Sequence, residues 1–404
     1  MNIDDQRTLD AADPLAGYRD RFAIPDGIIY LDGNSLGALP HATVAAIDDM
    51  VRRQWGDRLI RSWNEGWIDA PVRLGAKIAP LIGADADEVI VGDSTSANLY
   101  KLLSAALRID PQRTVILSEA GNFPTDLHIA EGVVAASPGA TLRVVPRNGI
   151  VDALDDRVAV VLLTHVHYKT AERFDMPALT RAAHAAGAII LWDLSHSVGA
   201  VPIDLTAAGA DLAVGCTYKY LNGGPGAPAF CYVARRWQDR LASPLSGWMG
   251  HAEPFAFSDA YAPAPGMKRW LAGTPPMLAM AALEAGLDLW AEVDRDALWA
   301  KSASLWNILA AAGAAAGLDR VTPADPAQRG SHISFRHPHA HALTQALIAR
   351  GVIGDFRDPD ILRLGITPLY LSHRDVAKAG EILCDVIASG SYMAPEFRQR
   401  QAVT

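Results

Sequence analysis

Ile189-Ile190-Leu191-Trp192-Asp193-Leu194-Ser195-His196 is four large apolar residues closed by an acid. A short unbroken apolar run of this kind suits a strand buried on both faces. A second run, Asp211-Leu212-Ala213-Val214, leads into Thr217-Tyr218-Lys219-Tyr220-Leu221-Asn222-Gly223-Gly224-Pro225-Gly226, where a lysine stands just before a glycine-rich turn. In an open sheet of parallel strands, ligands gather where the strands end. Asp193 and Lys219 both lie at or just past such ends.

Outward from these runs the same grammar repeats. Further strands are expected at 89–91, 113–117, 142–145, 159–164 and 229–233, with the two runs above falling in 188–192 and 212–215. Helical patterns at 97–107, 125–136, 176–186 and 205–208 separate them. The alternation predicts an α/β domain with a largely parallel sheet and helices on both faces. We expect this large domain to cover 41–295, ending near a helical stretch at 276–293. A smaller α+β domain over 296–404 would carry strands at 331–335 and 361–365 and an alanine-rich helix at 302–317. The first 40 residues are too few for a core of their own and are expected to pack with the small domain. Residues 391–404 read as a loose tail.

Composition bounds the partners. The chain has 404 residues, half of them apolar, and a net charge of −9 with acids and bases interspersed. No basic stripe points to nucleic acid and no polybasic amphipathic helix to a membrane surface. No apolar run reaches membrane-spanning length. Three cysteines, Cys216, Cys231 and Cys384, without C-x-x-C spacing suit reduced thiols. The polar start Met-Asn-Ile-Asp-Asp-Gln-Arg lacks a secretory pattern. The expectation is a cytoplasmic protein.

The residues past the strands carry the chemistry. A lysine amine can hold pyridoxal 5'-phosphate as a Schiff base, and an acid 26 residues earlier can pair with its ring nitrogen. A surface lysine and a turn aspartate remain the plain alternatives. In Gly92-Asp93-Ser94-Thr95-Ser96-Ala97-Asn98, Thr95 and Ser96 open a helix: they are either ordinary caps or a phosphate site on its dipole. In Gly121-Asn122-Phe123-Pro124-Thr125-Asp126, Phe123 is either a ring-stacking aromatic or a core anchor, and Asp126 sits in a first helical turn. His196 and Tyr218 flank the acid and the lysine as cofactor contacts or as packed partners. Arg363, within Ile361-Leu362-Arg363-Leu364, is a charge in an apolar strand, so it is either internally paired or a fork for a carboxylate. His165 and His167 lie two apart with no third ligand at suitable spacing, so no metal is expected. No G-x-S-x-G, H-E-x-x-H or Walker loop occurs.

Taken in order, the segments resemble kynureninase, a pyridoxal-phosphate enzyme family of aminotransferase-like fold type I. The resemblance runs through Tyr30-Leu31-Asp32-Gly33-Asn34-Ser35-Leu36-Gly37, Arg61-Ser62-Trp63-Asn64, Phe123-Pro124-Thr125-Asp126, Trp192-Asp193-Leu194-Ser195-His196, Tyr218-Lys219 and its glycine turn, Gly247-Trp248-Met249-Gly250, Gly273-Thr274-Pro275-Pro276 and Gly351-Val352-Ile353-Gly354-Asp355-Phe356-Arg357 on to Arg363. It implies hydrolytic β,γ cleavage of L-kynurenine, with the 3-hydroxy form as a possible second substrate, to anthranilate and L-alanine in tryptophan catabolism. It implies Lys219 as the Schiff-base lysine and Tyr218 as a proton-transfer residue. Thr95, Ser96, Phe123, Pro124, Thr125, Asp126, Thr164, Asp193, His196 and Tyr218 match cofactor contacts. Trp248 and Thr274 match contacts that cross a homodimer. Arg363, Trp63 and Asn34 match the substrate side. Thr274 and Trp63 stand where other members carry Asn and His, a choice that suits L-kynurenine over its 3-hydroxy form. The rivals are a desulfurase-like or aminotransferase-like enzyme of the same fold, or a binding protein that kept the fold without the chemistry.

Overall fold

The computed structural model of the chain describes residues 3–400. It divides into two compact units: 45–166 with 174–288, and the residues up to 44 with 167–173 and those from 289 onward.

The first of these units is built on seven strands: β1 (Val89–Val91), β2 (Val115–Glu119), β3 (Thr141–Val145), β4 (Val158–Thr164), β5 (Ile189–Asp193), β6 (Leu212–Gly215) and β7 (Phe230–Val233). Their order across the sheet is β1-β7-β6-β5-β4-β2-β3. All neighbours are parallel except β7, which runs antiparallel to both β1 and β6. The interior strands are apolar on both faces because helices cover both. All seven residues of β4, Val-Ala-Val-Val-Leu-Leu-Thr, are buried. Edge strand β3 is the exception, partly exposed along its length; there Arg143 pairs with Asp155 at 2.9 Å.

Helices α1 (Thr95–Ala106), α2 (Pro124–Ala135), α3 (Met176–Ala185) and α4 (Leu205–Ala208) join the strands. Leu99, Leu102, Leu103 and Ala106 of α1 form one core with Ile116, Val160, Leu191 and Leu212. Each fully buried leucine contributes about 2 kcal/mol. Gly75 lets the helix Ala70–Ile78 lie directly on β1, since a Cβ there would fall 2.2 Å from the Val89 carbonyl oxygen.

The expected elements appear, with shifted ends. The run at 113–117 becomes Val115–Glu119. Ser118 and Glu119 are polar yet buried because each finds a partner. The Ser118 hydroxyl donates to the Leu162 carbonyl at 2.8 Å, and Arg147 donates to Glu119 at 2.8 Å.

The second unit holds an antiparallel sheet of Asp355–Arg357, Ile361–Leu364, Ile333–Arg336 and Asp319–Arg320, adjacent in that order. Ile29–Tyr30 pairs in parallel with Val352–Ile353. Helices Arg295–Ala315 and His373–Ser389 pack together beside the sheet. Residues 391–400 are not the loose tail expected. The Tyr392 ring meets His337 edge-on at 5.2 Å, and Arg400 pairs with Asp358 at 3.0 Å. The rest of that segment, 401–404, lies outside the described residues.

Candidate active site

In the sheet-bearing unit, five strand ends deliver the candidates. β1 runs into a turn where Asp93 has a left-handed backbone (φ 53) and Ser94 caps α1, accepting from the Ala97 amide at 3.2 Å. The amides of the first helical residues have no partner within the helix, and the dipole there favours an anion. Thr95 and Ser96, both half-buried, begin this turn. Lys101, one of the most buried lysines, reaches back to Asp93 at 2.8 Å and to the Trp270 carbonyl at 2.6 Å. That pair pins the strained turn.

β2 leads to Asn122-Phe123-Pro124. Pro124 opens α2, where a proline costs no hydrogen bond. Phe123 is 38% exposed, so it is a displayed ring and not a core anchor. Thr125 is half-buried in the first turn of α2. Asp126, one residue on, is fully buried. The Thr164 hydroxyl at the end of β4 lies 2.5 Å from Asn122 Oδ1 and 3.1 Å from Asp126 Oδ2. Asn122 also accepts from the Phe123 amide at 2.7 Å. Sequence reasoning passed over Asn122; its only signal was a polar residue directly before the displayed aromatic.

Asp193 ends β5 and accepts from the Ser195 amide at 2.6 Å. Its carboxyl hydrogen-bonds that of Asp126, and both acids are pushed above the usual carboxylate range. Burial is the first cause for each; for Asp126 the Asp193 charge adds to it, against the Thr164 hydrogen bond and the Lys219 charge. Asp126 Oδ1 is buried with no hydrogen-bond partner. An orphaned oxygen on a buried acid pair is the complement of a cationic N–H.

Lys219 follows β6, its side chain buried, on a turn fixed by hydrogen bonds from the Gly223 amide to the Thr217 carbonyl and from the Thr217 hydroxyl to the Pro228 carbonyl. Its Nζ shares a hydrogen bond with His196 Nε2 at 2.9 Å and lies 5.9 Å from the ring centroids of both Phe123 and Tyr218. Burial, first, and the neighbouring Cys216 raise the Tyr218 hydroxyl above its ordinary value, so it stays protonated. Lys219, His196, Asp193, Asp126, Thr164 and Phe123 thus form one linked set.

Other candidates stand apart from that set. Trp63 meets Trp67 edge-on at 5.6 Å. Trp248 is 39% exposed beside Phe255, and Thr274 is exposed. Among the described residues, none of the three shares a hydrogen bond with the Lys219 set. Cys216 and Cys231 are buried thiols pushed up chiefly by burial, Cys231 to about 11, which leaves neither suited to act as a nucleophile.

The second unit carries Arg363, buried and internally paired. It forks onto Asp355, with Nε to Oδ1 at 2.8 Å and Nη2 to Oδ2, while Nη1 donates to the Tyr168 carbonyl at 2.6 Å. Nη2 also meets Ser35 Oγ at 2.7 Å. With its amide oxygen turned inward, Asn34 accepts from Arg363 Nε at 3.0 Å. Gly365 is required there: a Cβ would fall 1.6 Å from the end of the Asn34 side-chain amide. The internal pairing of Arg363 is therefore observed, and Asn34 lies beside it.

A lysine past one parallel strand, beside an acid that ends the next, on a mostly parallel mixed sheet, defines the fold type I class of pyridoxal-phosphate-dependent transferases. Solved structures share that fold. The apo cysteine desulfurase of Thermococcus onnurineus NA1 superposes with a TM-score of 0.79 at 17% identity, over 92% of this chain and 98% of that one. The Escherichia coli cysteine desulfurase CsdA gives 0.77 at 19%, over 94% and 98%. Sequence comparison is more specific. The kynureninase C-terminal domain model matches residues 298–383. A kynureninase of Burkholderia mallei is 52% identical over 98% of both chains, and one of Deinococcus radiodurans is 52% identical over 92% of this chain and 93% of its own. The chain belongs to the kynureninase family.

Proposed function

We propose that this enzyme cleaves L-kynurenine hydrolytically between Cβ and Cγ, giving anthranilate and L-alanine, and that it works with pyridoxal 5'-phosphate held by the Lys219 set. The observation that carries the reading is the buried acid pair Asp126–Asp193, with one orphaned oxygen, beside a buried lysine. When bound, the cofactor supplies an electron sink for the bonds around the substrate's α-carbon.

The chain's own residues do the rest. Thr95 and Ser96 hold the phosphate at the start of α1, and Phe123, with Pro124 and Thr125 shaping its loop, covers the ring. Asp193, backed by Asp126, Asn122 and Thr164, keeps the ring nitrogen protonated. Lys219 carries the cofactor, then moves a proton at the substrate α-carbon, and His196 orients its amine. Tyr218, held protonated by burial, donates a proton to the alanine fragment. Arg363 and Asn34 receive the substrate α-carboxylate, and Trp63 borders the aryl group. The large domain of 41–295 holds the cofactor, while 296–404 with the first 40 residues forms the smaller one.

The enzyme is a cytoplasmic homodimer in which Trp248 and Thr274 reach the partner's site. The exposed aromatics Trp55, Trp248, Phe255 and Phe257 support such an interface. No helix among the described residues is long and apolar enough to cross a membrane. The test is anthranilate fluorescence, with equimolar alanine, on adding L-kynurenine to the protein loaded with pyridoxal phosphate. Sulfide release from cysteine without anthranilate would replace this reading with the desulfurase one.

A further inference from the structure

Arg363 sits in a cluster of four charges whose balance hangs on one acid. Asp355, fully buried, takes the Arg363 fork and also pairs with Arg357 at 2.7 Å. Ser35 Oγ donates to Asp355 at 2.7 Å, and Arg357 reaches Ser35 at 3.2 Å. Asp32 is the second acid. Its Oδ1 is buried with no hydrogen-bond partner, while its backbone carbonyl accepts from the Ser35 amide at 2.9 Å. The ionisable groups around Asp32 come from three segments: Tyr30 from its own, Asp355 and Arg357 from one strand, and Arg363 from the next. Two carboxyls and two guanidiniums give a net charge of zero when both acids are ionised, and +1 when Asp32 keeps its proton.

We propose that Asp32 is an ionisable positioning residue for the carboxylate site at Arg363: protonated, it leaves the cluster a spare positive charge that draws in an anionic carboxylate, and ionised, it cancels that charge. This rests on the reading of Arg363 as the carboxylate site. The split within the acid pair supports it. Asp355 is held down to about 2, chiefly by the Arg363 charge working against burial, whereas burial and the Asp355 charge push Asp32 up to about 8. Asp355 is thus the permanent counter-ion and Asp32 the variable one. The Asp32 carboxyl also hydrogen-bonds the Ser35 side chain and the Asp355 carboxyl, which ties its charge to the cluster. A bound carboxylate raises the affinity of Asp32 for its proton further, so above pH 8 binding must take up a proton.

The probe is 4-(2-aminophenyl)-4-oxobutanoate, which keeps the carboxylate and aryl ketone of the substrate but has no α-amine to titrate or to displace Lys219 from the cofactor. Its Kd for the holoenzyme is measured by calorimetry from pH 6.5 to 9.5 in two buffers of different ionisation enthalpy. The expected Kd is flat below pH 8 and rises up to about tenfold per unit above it, with about one proton taken up per ligand at pH 9. Asp32→Asn should bind with a flat profile and no uptake. A wild-type profile that is flat, or a rise and uptake that survive Asp32→Asn, overturns the proposal. Arg363→Gln separates the two ideas: if it binds the probe as tightly as wild type at pH 7, the carboxylate site itself is misplaced. Weak binding by Arg363→Gln together with an unchanged pH limb in Asp32→Asn defeats the Asp32 role alone.

Discussion

Each unit holds a close pair of aspartates, and the two pairs are opposites. Among the described residues, the hydrogen bonds of Asp126 and Asp193 come from Thr164, Ser195 and each other, and Lys219 is the cation that acts on both. Both are pushed up, so the pair is short of positive charge and suits a protonated ring nitrogen. Asp32 and Asp355 share two guanidiniums, so their cluster suits an anion. The residue type is the same. What differs is the company, and the company sets the sign of the ligand.

The largest expected effect attacks the first cluster at its cation. Lys219→Ala should lower kcat by at least about a thousandfold and abolish the visible absorbance of the lysine-bound cofactor. A yellow, active variant would remove Lys219 from the chemistry. Tyr218→Phe should lower kcat about a hundredfold with KM little changed, because it removes a proton donor and not a binding group; steady-state kinetics decide it. Arg363→Gln attacks the second cluster. It should raise KM for L-kynurenine roughly 10- to 100-fold, the worth of one charge-assisted pair, with a smaller change in kcat. An unchanged KM would leave Arg363 as internal structure only. The smallest effect concerns the aryl end. With Trp63 and Thr274 offering no histidine or asparagine to a ring hydroxyl, kcat/KM should favour L-kynurenine over 3-hydroxy-L-kynurenine by about 10-fold or more. Equal values for the two substrates would show that neither position reads that hydroxyl.

The first cluster was legible in the sequence, whereas of the second only Arg363 and Asn34 were, for a physical reason. Asp193, Lys219, Thr164 and Phe123 each follow an unbroken apolar run, and a parallel sheet puts everything past such runs at one edge. The alternation of runs gave the sheet itself for the same reason. From the residues alone Asp126 was visible as a residue in a first helical turn, and the family resemblance added it as a cofactor contact; its burial against Asp193 depends on how β2 and β5 lie in the sheet. Asp32, Ser35 and Asp355 come together around Arg363 through an antiparallel register, Asp355 opposite Arg363. Such pairing over long sequence distance leaves no periodic trace. The ends of β2 were missed because Ser118 and Glu119 are buried by specific partners, which composition cannot announce.

Above all, the Asp126–Asp193 pair is built for a cationic ring nitrogen. That fit is tested most directly by measuring the affinity of the apo enzyme for pyridoxal 5'-phosphate and for its 1-deaza analogue, whose ring has no nitrogen to protonate. The account predicts that wild type binds pyridoxal phosphate at least about tenfold more tightly, and that the difference vanishes in the Asp126→Asn, Asp193→Asn double variant. Equal affinity of wild type for the two compounds would contradict it.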